Sequence, residues 1–536
     1  MSDPPSPALP DGGSAQVARD HAVPSVNKWL ITFAVMLAAT MEVMDTSIAN
    51  VALPHMQGSL SASTGEITWV LTSYLVANAI VIPLGGWFSE IFGRRNFFSA
   101  CVLIFTAASA ACGAAPNLES LVVFRILQGA AGGALIPLSQ AIMLETFPSR
   151  EQGMAMAMWG VGIMFAPVIG PFVGGWITDN YSWRWIFYVN LPIGAITFLL
   201  VGLFVHDPAY LRARRGKAAS DWWGLAFLVL GIGALQVVLD QGEQKDWFGS
   251  DIIFWLAFIA LSGVGAFIVR ELMIRDPLID LRLFKSLTYS TGTFLMGVVG
   301  FILYGAIVLL PLQAQSMLGY TALEAGKIIA PGGMATLLTM PMAGALLGRF
   351  DARPLIITGT LLLASALYLL SGQNFNSGYW QLAFPRILMG LAFGFIFVPL
   401  STTTMSGVHP ERMNAASGFF NLSRNIGGSV GIALVTTFLS RRSQFHQTML
   451  IEHLSAYSVH TREAIHRVTQ LLGARGFDTA TASHGALKLL YGEVRRQSLM
   501  NAYLDDYALL AVMSLLMIPL ILLLRKVKDT HAPAAH

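Results

Sequence analysis

The sequence predicts an all-α polytopic membrane protein of fourteen spans, built as two six-helix bundles plus two inserted helices. Three observations carry that expectation. The 536 residues are 54% hydrophobic and only 12% charged, whereas soluble domains carry about 25% charged residues. The charges are also unevenly spread: Val102 to Leu118 and Pro354 to Pro385 contain no Asp, Glu, Lys or Arg. Windows of this kind supply the roughly 20 mostly apolar residues that a spanning helix needs. Third, the chain repeats itself. Phe124-Arg-Ile-Leu-Gln-Gly129 returns as Pro385-Arg-Ile-Leu-Met-Gly390, and Ile136-Pro-Leu-Ser139 as Val398-Pro-Leu-Ser401. Val51-Ala-Leu-Pro54 is echoed by Val308-Leu-Leu-Pro311. Gly85-Gly-Trp-Phe-Ser-Glu-Ile-Phe-Gly-Arg-Arg95 is echoed more weakly by Gly344-Ala-Leu-Leu-Gly-Arg-Phe-Asp-Ala-Arg353. The offsets are all near 260 residues and keep the same order, the signature of a parallel repeat around a midplane site.

Spans are expected to begin near Trp29, Ile67, Phe97, Leu118, Gln152 and Trp185, then Trp222 and Ile252, then Tyr289, Gly326, Pro354, Tyr379, Asn414 and Leu504. The corresponding units are a first bundle over 28–206, an inserted pair over 222–270 and a second bundle over 288–526. The second bundle includes a long outside segment, 441–503. Residues 1–27 are rich in Pro, Gly, Ser and Ala without an apolar core, which reads as a disordered cytoplasmic tail and not a signal peptide. Cations cluster in alternate links: Arg94 and Arg95; Arg212, Arg214, Arg215 and Lys217; Arg349 and Arg353; Arg525, Lys526 and Lys528. The link 241–251 instead carries Glu243, Asp246 and Asp251 against Lys245. By the positive-inside rule both termini are cytoplasmic. In the outside segment Thr461 begins an amphipathic stretch, and His446, His453 and His460 recur every seven residues. On one helix neighbours would stand roughly 10 Å apart, too far to share a metal, so they are read as a solvated face.

A net charge of +3 gives no reason to expect nucleic acid. Cys101 and Cys112 would lie roughly 16 Å apart along one helix and cannot form a disulfide there. No metal-ligand cluster, phosphate-binding Gly loop or Ser–His–Asp order stands out. The chain is therefore not expected to be an enzyme, and no catalytic residue, metal site or cofactor is expected.

Charges inside the hydrocarbon are the informative ones, since each costs roughly 2.5–3.5 kcal/mol on insertion scales. Glu42 and Asp45 are three apart in span one and share a helix face. Two carboxylates this close repel when both are ionised, so the pair is a candidate site for taking up and releasing a proton. Alternatively Glu42 sits near water and Asp45 is merely paired. Arg125 in span four is the natural cationic partner, unless it caps a neighbouring helix; its copy Arg386 is read as structural. The stretch Gly160 to Gly175 holds Gly160, Pro167, Gly170, Pro171, Gly174 and Gly175. It is either close packing of span five or a hinge between inward- and outward-facing states, and the density of Gly and Pro favours the hinge. Gly86, Glu90, Gly93, Arg94 and Arg95 occupy the turn after span two, where Glu90 can pair with an arginine and latch one state. The arginines also serve as a positive-inside anchor. Gln128, Asn421 and Arg424 are candidates for substrate contact, or else satisfy backbone groups.

Together these motifs resemble the major facilitator superfamily, and within it the fourteen-span drug:proton antiporters of the EmrB/QacA-like group. Gly86 to Arg95 is similar to the superfamily's loop signature, with Glu90 where Asp is usual. Leu121 to Gly129 is similar to the span-four motif whose Arg is implicated in proton transfer, and Gly160 to Gly175 to the antiporter motif. Met44-Asp-Thr-Ser-Ile-Ala-Asn-Val-Ala-Leu-Pro54 and Trp183 to Gly194 resemble motifs of the fourteen-span group, as do Val238 to Gly242, Asp276 to Lys285 and Tyr304 to Pro311. The resemblance covers Trp29 to Leu524. It implies a major facilitator fold, proton as the coupling ion, and export of hydrophobic drug-like compounds from a bacterial inner membrane. It also implies a periplasmic adaptor (EmrA-like) and an outer-membrane channel (TolC-like) as partners. An exporter dedicated to one endogenous compound, such as a fatty acid or siderophore, is the alternative within transport. A membrane sensor or membrane enzyme is the alternative outside it.

Overall fold

The computed structural model describes residues 27–148, 151–208, 211–212, 221–274, 277–452, 454 and 458–524. The expected tail before Asn27, the cations Arg214, Arg215, Lys217, Arg525, Lys526 and Lys528, and His453 lie outside the described residues.

Among the described residues every regular element is helical, as a lipid solvent demands of a backbone that must satisfy its own polar groups. The first unit contains α1 (Lys28–Ser59), α2 (Trp69–Val81), α3 (Gly85–Phe92), α4 (Arg94–Ala114), α5 (Leu118–Gly132), α6 (Leu135–Thr146), α7 (Gln152–Asn180) and α8 (Asn190–Phe204). A 3-10 turn at Ile82–Leu84, carrying Pro83, joins α2 to α3, so the two make one bent span. The inserted pair is α9 (Trp222–Gln241) and α10 (Asp251–Met273). The second unit contains α11 (Leu287–Ser316), α12 (Ala322–Leu347), α13 (Ala352–Ser371), α14 (Tyr379–Met405), α15 (Met413–Glu452), α16 (Val459–Ala474) and α17 (Thr479–Leu522). Among the described residues thirteen spans are long and apolar enough to cross a membrane. With the more polar, 40-residue α15 the crossings number fourteen.

Helix ends are capped where they meet water. Asn27 accepts from Trp29 N at 3.0 Å, and Asn117 and Ser120 form a reciprocal box at the start of α5. Thr321 and Glu324 do the same for α12. Apolar side chains cover the outer wall: on α10, Leu261 is 79% exposed and Trp255 and Phe258 are 57% and 58% exposed. An apolar belt of this extent faces lipid, not water, and the chain is a multi-pass membrane protein.

The two units pack alike. In the first, α1 packs on α7, α4 on α5, and α8 on α4 and α1; in the second, α11 packs on α15, α13 on α14, and α17 on α13 and α11. Close approach comes at equivalent glycines. A side chain at Gly129 would overlap the backbone of Tyr74, and one at Gly390 the backbone of Gly332.

The bundles are joined mainly through the half nearer the described chain ends. Gly153 and Gly344 are in close contact, a Cβ on the former falling 3.1 Å from the latter's carbonyl oxygen. The rings of Trp159 and Phe397 stack at 6.0 Å, the Ser417 hydroxyl donates to Pro137 O at 2.8 Å, and the Asn421 amide donates to Gln140 Oε1 at 2.6 Å. Toward the far end α7 rests on α1 and on the short turn Trp185–Tyr188 of its own bundle, with Phe172 67% exposed and Trp176 54% exposed. On one flank the inserted pair bridges both bundles. Gln236 donates to Ser429 Oγ at 2.7 Å, and Trp247 Nε1 donates to Thr437 Oγ1 at 2.9 Å. Asp240 accepts from Thr72 of α2. The bundles are therefore closed at one end and splayed at the other.

Candidate functional site

The midpoint of α1 carries Glu42 and Asp45, both buried, and the structure brings Arg125 to Asp45. Arg125 reaches it because Gly129, one turn on, lets α5 press against α2. Arg125 Nη1 donates to Asp45 Oδ2 at 2.5 Å, and its Nε donates to Val70 O at 3.0 Å. The guanidinium lies over the Tyr74 ring, 4.1 Å from its centroid. Asp45 Oδ1 accepts from Gln128 Nε2 at 2.7 Å and from Asn190 Nδ2 at 2.8 Å. Gln128 also accepts from Arg125 at 2.9 Å, and Asn190 donates to Ser109 Oγ at 3.0 Å. Two helices, α5 and α8, thus close on the one carboxylate of α1, with Ser109 of α4 steadying Asn190 behind it. Both partners of the ion pair are inaccessible, with side-chain exposures of 0% and 1%. Removing one member of such a pair costs about 3–5 kcal/mol, because the other is left charged and buried.

Glu42 lies one turn earlier and faces the second bundle. Its Oε1 accepts from Asn78 Nδ2 at 2.7 Å, and Asn78 Oδ1 accepts in turn from Asn425 across the seam at 3.4 Å. The other oxygen, Oε2, is buried without a partner. Arg424 of α15 is the cation whose field reaches Glu42, and its own Nε is buried without a partner. Asp45 is thus held wholly within the first bundle, whereas Glu42, bonded to Asn78 of that same bundle, also lies in the field of Arg424 from the second.

Of the residues singled out for substrate, Gln128 stands in the Asp45 clamp, Asn421 binds Gln140 and Ser417 O across the seam, and Arg424 faces Glu42. In α7, a Cβ at Gly170 or Gly174 would fall 2.7 Å from Ser47 Cβ or 3.0 Å from Ile48 Cγ2, two and three residues beyond Asp45. At Gly160 it would fall 2.7 Å from Met340 Sδ of the second bundle, while Gly175 has room. Pro167 and Pro171 lie inside α7 without breaking it. In the turn after α3, Gly93 has φ +82°, a backbone that favours glycine. Arg94 makes two 2.8 Å bonds to Glu145, and Arg95 N donates to Asp207 at 2.8 Å. Gly86 abuts Ala415 of the second bundle, 3.2 Å from a Cβ at the glycine to Ala415 N. Glu90 sits on α3 beside these groups and is itself engaged.

Asn190, Asn78 and Tyr74 were not among the sequence candidates. Asn190 and Asn78 are each an uncharged amide inside an apolar run, which is the signal that marks them in lipid. Outside the membrane, His446 Nε2 contacts Asp505 Oδ2 at 2.8 Å alongside Arg442. Among the described residues no group of three metal-ligating side chains occurs.

This architecture and buried charge centre are those of a secondary transporter, and the chain belongs to the Major Facilitator Superfamily, whose family model matches residues 35–432. Within it the protein is an EmrB-like transporter and not an enzyme. It is 38% identical over 451 residues to the multidrug export protein EmrB of Haemophilus influenzae, covering 82% of this chain and 86% of that one. Identity is also 38% over 441 residues to the fatty acid resistance protein FarB of Neisseria gonorrhoeae, with 82% and 86% covered. The crystal structure of the human organic anion transporter MFSD10 superposes with a TM-score of 0.61 at 14% identity, covering 92% of this chain and 99% of that one. That likeness is one of fold.

Proposed function

We propose that the protein is a proton-coupled exporter of hydrophobic, drug-like compounds that works by alternating access. The observation that carries the proposal is the Asp45–Arg125 pair, sealed from solvent at the centre of a bundle whose contacts with its partner bundle gather in the half nearer the described chain ends. A proton arriving on Asp45 from the splayed end removes the charge that Arg125, Gln128 and Asn190 jointly hold. Arg125 then keeps Val70 O, Gln128 and the Tyr74 ring as its contacts. Ser47 and Ile48 lie two and three residues beyond Asp45 on α1 and bear on Gly170 and Gly174, so a change at Asp45 is passed to α7. That helix also forms the seam with α12. Loss of the proton to the other side restores the pair and resets the seam. Bacterial inner-membrane placement with both termini cytoplasmic fits the cation-rich links Arg94–Arg95 and Arg349–Arg353, and makes this conformation open to the outside.

A tripartite assembly with a periplasmic adaptor and an outer-membrane channel is supported by the length of the second bundle's outer helices. α15 and α17 have 40 and 44 residues, or about 60 and 66 Å, twice the ~30 Å hydrocarbon thickness. Their outer parts, with α16, display Phe445, Leu471, Leu487 and Leu489, each about half exposed or more. Removing 441–503 is expected to abolish capture of the adaptor in a pull-down; undiminished capture would refute that docking.

The test of coupling is dye movement in everted vesicles under an imposed pH gradient. Wild type is expected to move dye and dissipate the gradient while Asp45→Asn does neither. An Asp45→Asn protein exporting at the wild-type rate would end the coupling role. The narrower alternative, a carrier for one fatty-acid-like compound, gains support from the FarB relative. Movement of several unrelated compounds would rule it out.

A further inference from the structure

Arg386 is the repeat copy of Arg125, yet it lacks the acid that its counterpart has. Aligned through Pro54 and Pro311 the α11 equivalent of Asp45 is Ile302; aligned through the arginines it is Ala306. α11 contains no Asp or Glu at all. Arg386 Nε is buried without a hydrogen-bond partner. The residue as a whole is half-buried, and no salt bridge is seen to Arg386 among the described residues, so this guanidinium is short of a counter-charge.

The missing acid stands on another helix. Asp506 of α17 is 0% exposed, and neither of its carboxyl oxygens has a partner. Its neighbour Asp505 takes the nearby Arg442 at 2.5 Å and the His446 imidazole at 2.8 Å, both from α15. Other elements offer Asp506 nothing better. α11 brings uncharged Gln313 and Ser316 to Tyr507 and Tyr503. On α13, Arg353 is tied to Leu524 O at the opposite end of the span, and Tyr368 faces outward, 73% exposed. α16 carries Arg462, Glu463, His466 and Arg467, with Arg467 on Glu463, and meets α17 earlier, where Leu472 lies against Gly485. On α17 itself Arg496 lies over the Phe375 ring and beside Glu493. That leaves Tyr507, which sits in the fields of both Asp506 and Arg386 and donates its hydroxyl to Gln313 Oε1 at 3.0 Å. The sixth helix of each bundle therefore carries a buried polar group, Asn190 on α8 and Asp506 on α17, and Tyr507 neighbours both Asp506 and Arg386.

We propose that Asp506 is a second proton-binding site, which holds a proton in this outward-splayed conformation and gives it up when Arg386 comes within pairing distance. An ionised carboxylate with no donor on either oxygen is too costly to persist at this burial. A neutral acid needs only ordinary contacts. The carrier then has two acid–arginine couples, one formed (Asp45–Arg125) and one open (Asp506–Arg386), so each bundle has its own means of sensing a proton.

The test is infrared spectroscopy of the full chain in lipid nanodiscs, titrated from acid to alkaline pH with no substrate added. Wild type is expected to show a protonated-carboxyl band that disappears with rising pH, and Asp506→Asn to lose one resolvable component of it. Arg386→Gln, which leaves the acid in place, is expected to displace loss of that component to higher pH, and Arg386→Lys to restore it partly. Spectra of Asp506→Asn that superimpose on wild type, or an Arg386→Gln titration identical to wild type, overturn the proposal. Should Asp506→Asn fail to fold, the Arg386 variants decide it alone. Because no transport is measured, failure here is distinct from failure of the export proposal, which the Asp45→Asn vesicle experiment judges.

Discussion

Replacing Gly129 by alanine tests whether the charge centre depends on one close helix contact. An added Cβ would stand 2.9 Å from Tyr74 Cα and 3.0 Å from Tyr74 C, and closer still to its carbonyl oxygen. Ordinary carbon contacts begin near ~3.5 Å, so α5 must back away from α2 by roughly 0.5–1 Å. Arg125 lies one turn earlier on the same face and bonds Val70 O at 3.0 Å, Val70 being one turn before Tyr74. A shift of that size takes the bond beyond the ~3.2 Å at which such bonds are strong. Overpacking costs about 1–3 kcal/mol and a bond from a charged donor is worth about 1.5–3 kcal/mol. Against this stands a helix-propensity gain of about 1 kcal/mol for alanine over glycine. The net expectation is a loss of about 3 kcal/mol, read as a lower unfolding temperature in detergent together with failing export in vesicles. Gly175→Ala is the matched control, since its Cβ would find its nearest neighbour, Val51 Cγ1, at 4.0 Å. If Gly129→Ala unfolds and exports as wild type does, the contact does not position Arg125.

Arg94→Ala strips Glu145 of a bidentate partner at a site where Arg94 is 2% exposed. A stability loss of about 3–5 kcal/mol follows for so buried a pair, and Arg94→Lys should recover little of it because lysine cannot bond in a fork; an unchanged melting profile for Arg94→Ala would refute this. Gly153→Leu places a large side chain where a Cβ already lies 3.1 Å from Gly344 O. It is expected to part the seam and raise labelling of a cysteine introduced at Ser417, against a low background because Cys101 and Cys112 are buried; unaltered labelling would mean the seam tolerates the change. Asn190→Leu removes one donor from Asp45 and one from Ser109, and should slow gradient-driven export while the melting temperature falls by less than for Arg94→Ala.

Much of the architecture was legible because lipid makes the code simple. Apolar runs give spans, and recurring Arg-Ile-Leu and Pro-Leu-Ser segments give the repeat. The Asp45–Arg125 partnership was legible for the same reason, since a charge in hydrocarbon must find another. Distances across helices were not. Nothing in the spacing of Asn190 or Asn78 says which carboxylate each will meet, because α8 and α2 approach α1 from different sides. The partners of Gln128, Asn421 and Arg424 were equally hidden. As polar residues facing inward they suit substrate contact, but the structure engages Gln128 with Asp45 and Asn421 with Gln140. The role of Asp240 and Gln241 at Thr72 depended on where the inserted pair docks, and a pair with no copy in the repeat has no internal template.

The repeat shows where the two halves had to diverge. Backbone packing is preserved at Gly129 and Gly390, which keeps both arginines on the inner side of the fourth helix of their bundles. The acids are not preserved, and the consequence is asymmetric. Within the first bundle Asp45 is satisfied by three side chains and is therefore rigidly placed. Glu42, one turn away, is left to face Arg424 and Asn78 at the seam, where its environment changes whenever the bundles move. Under the proposed proton coupling, a carboxylate whose partners all ride on one bundle would report the proton, and one whose neighbours are divided between bundles would report the conformation. Having both on a single turn of α1 places the two signals about 5 Å apart on one helix face, close enough that each affects the other. Coupling between proton and bundle movement then needs no relay across the molecule, only a helix that belongs to one bundle and touches the other.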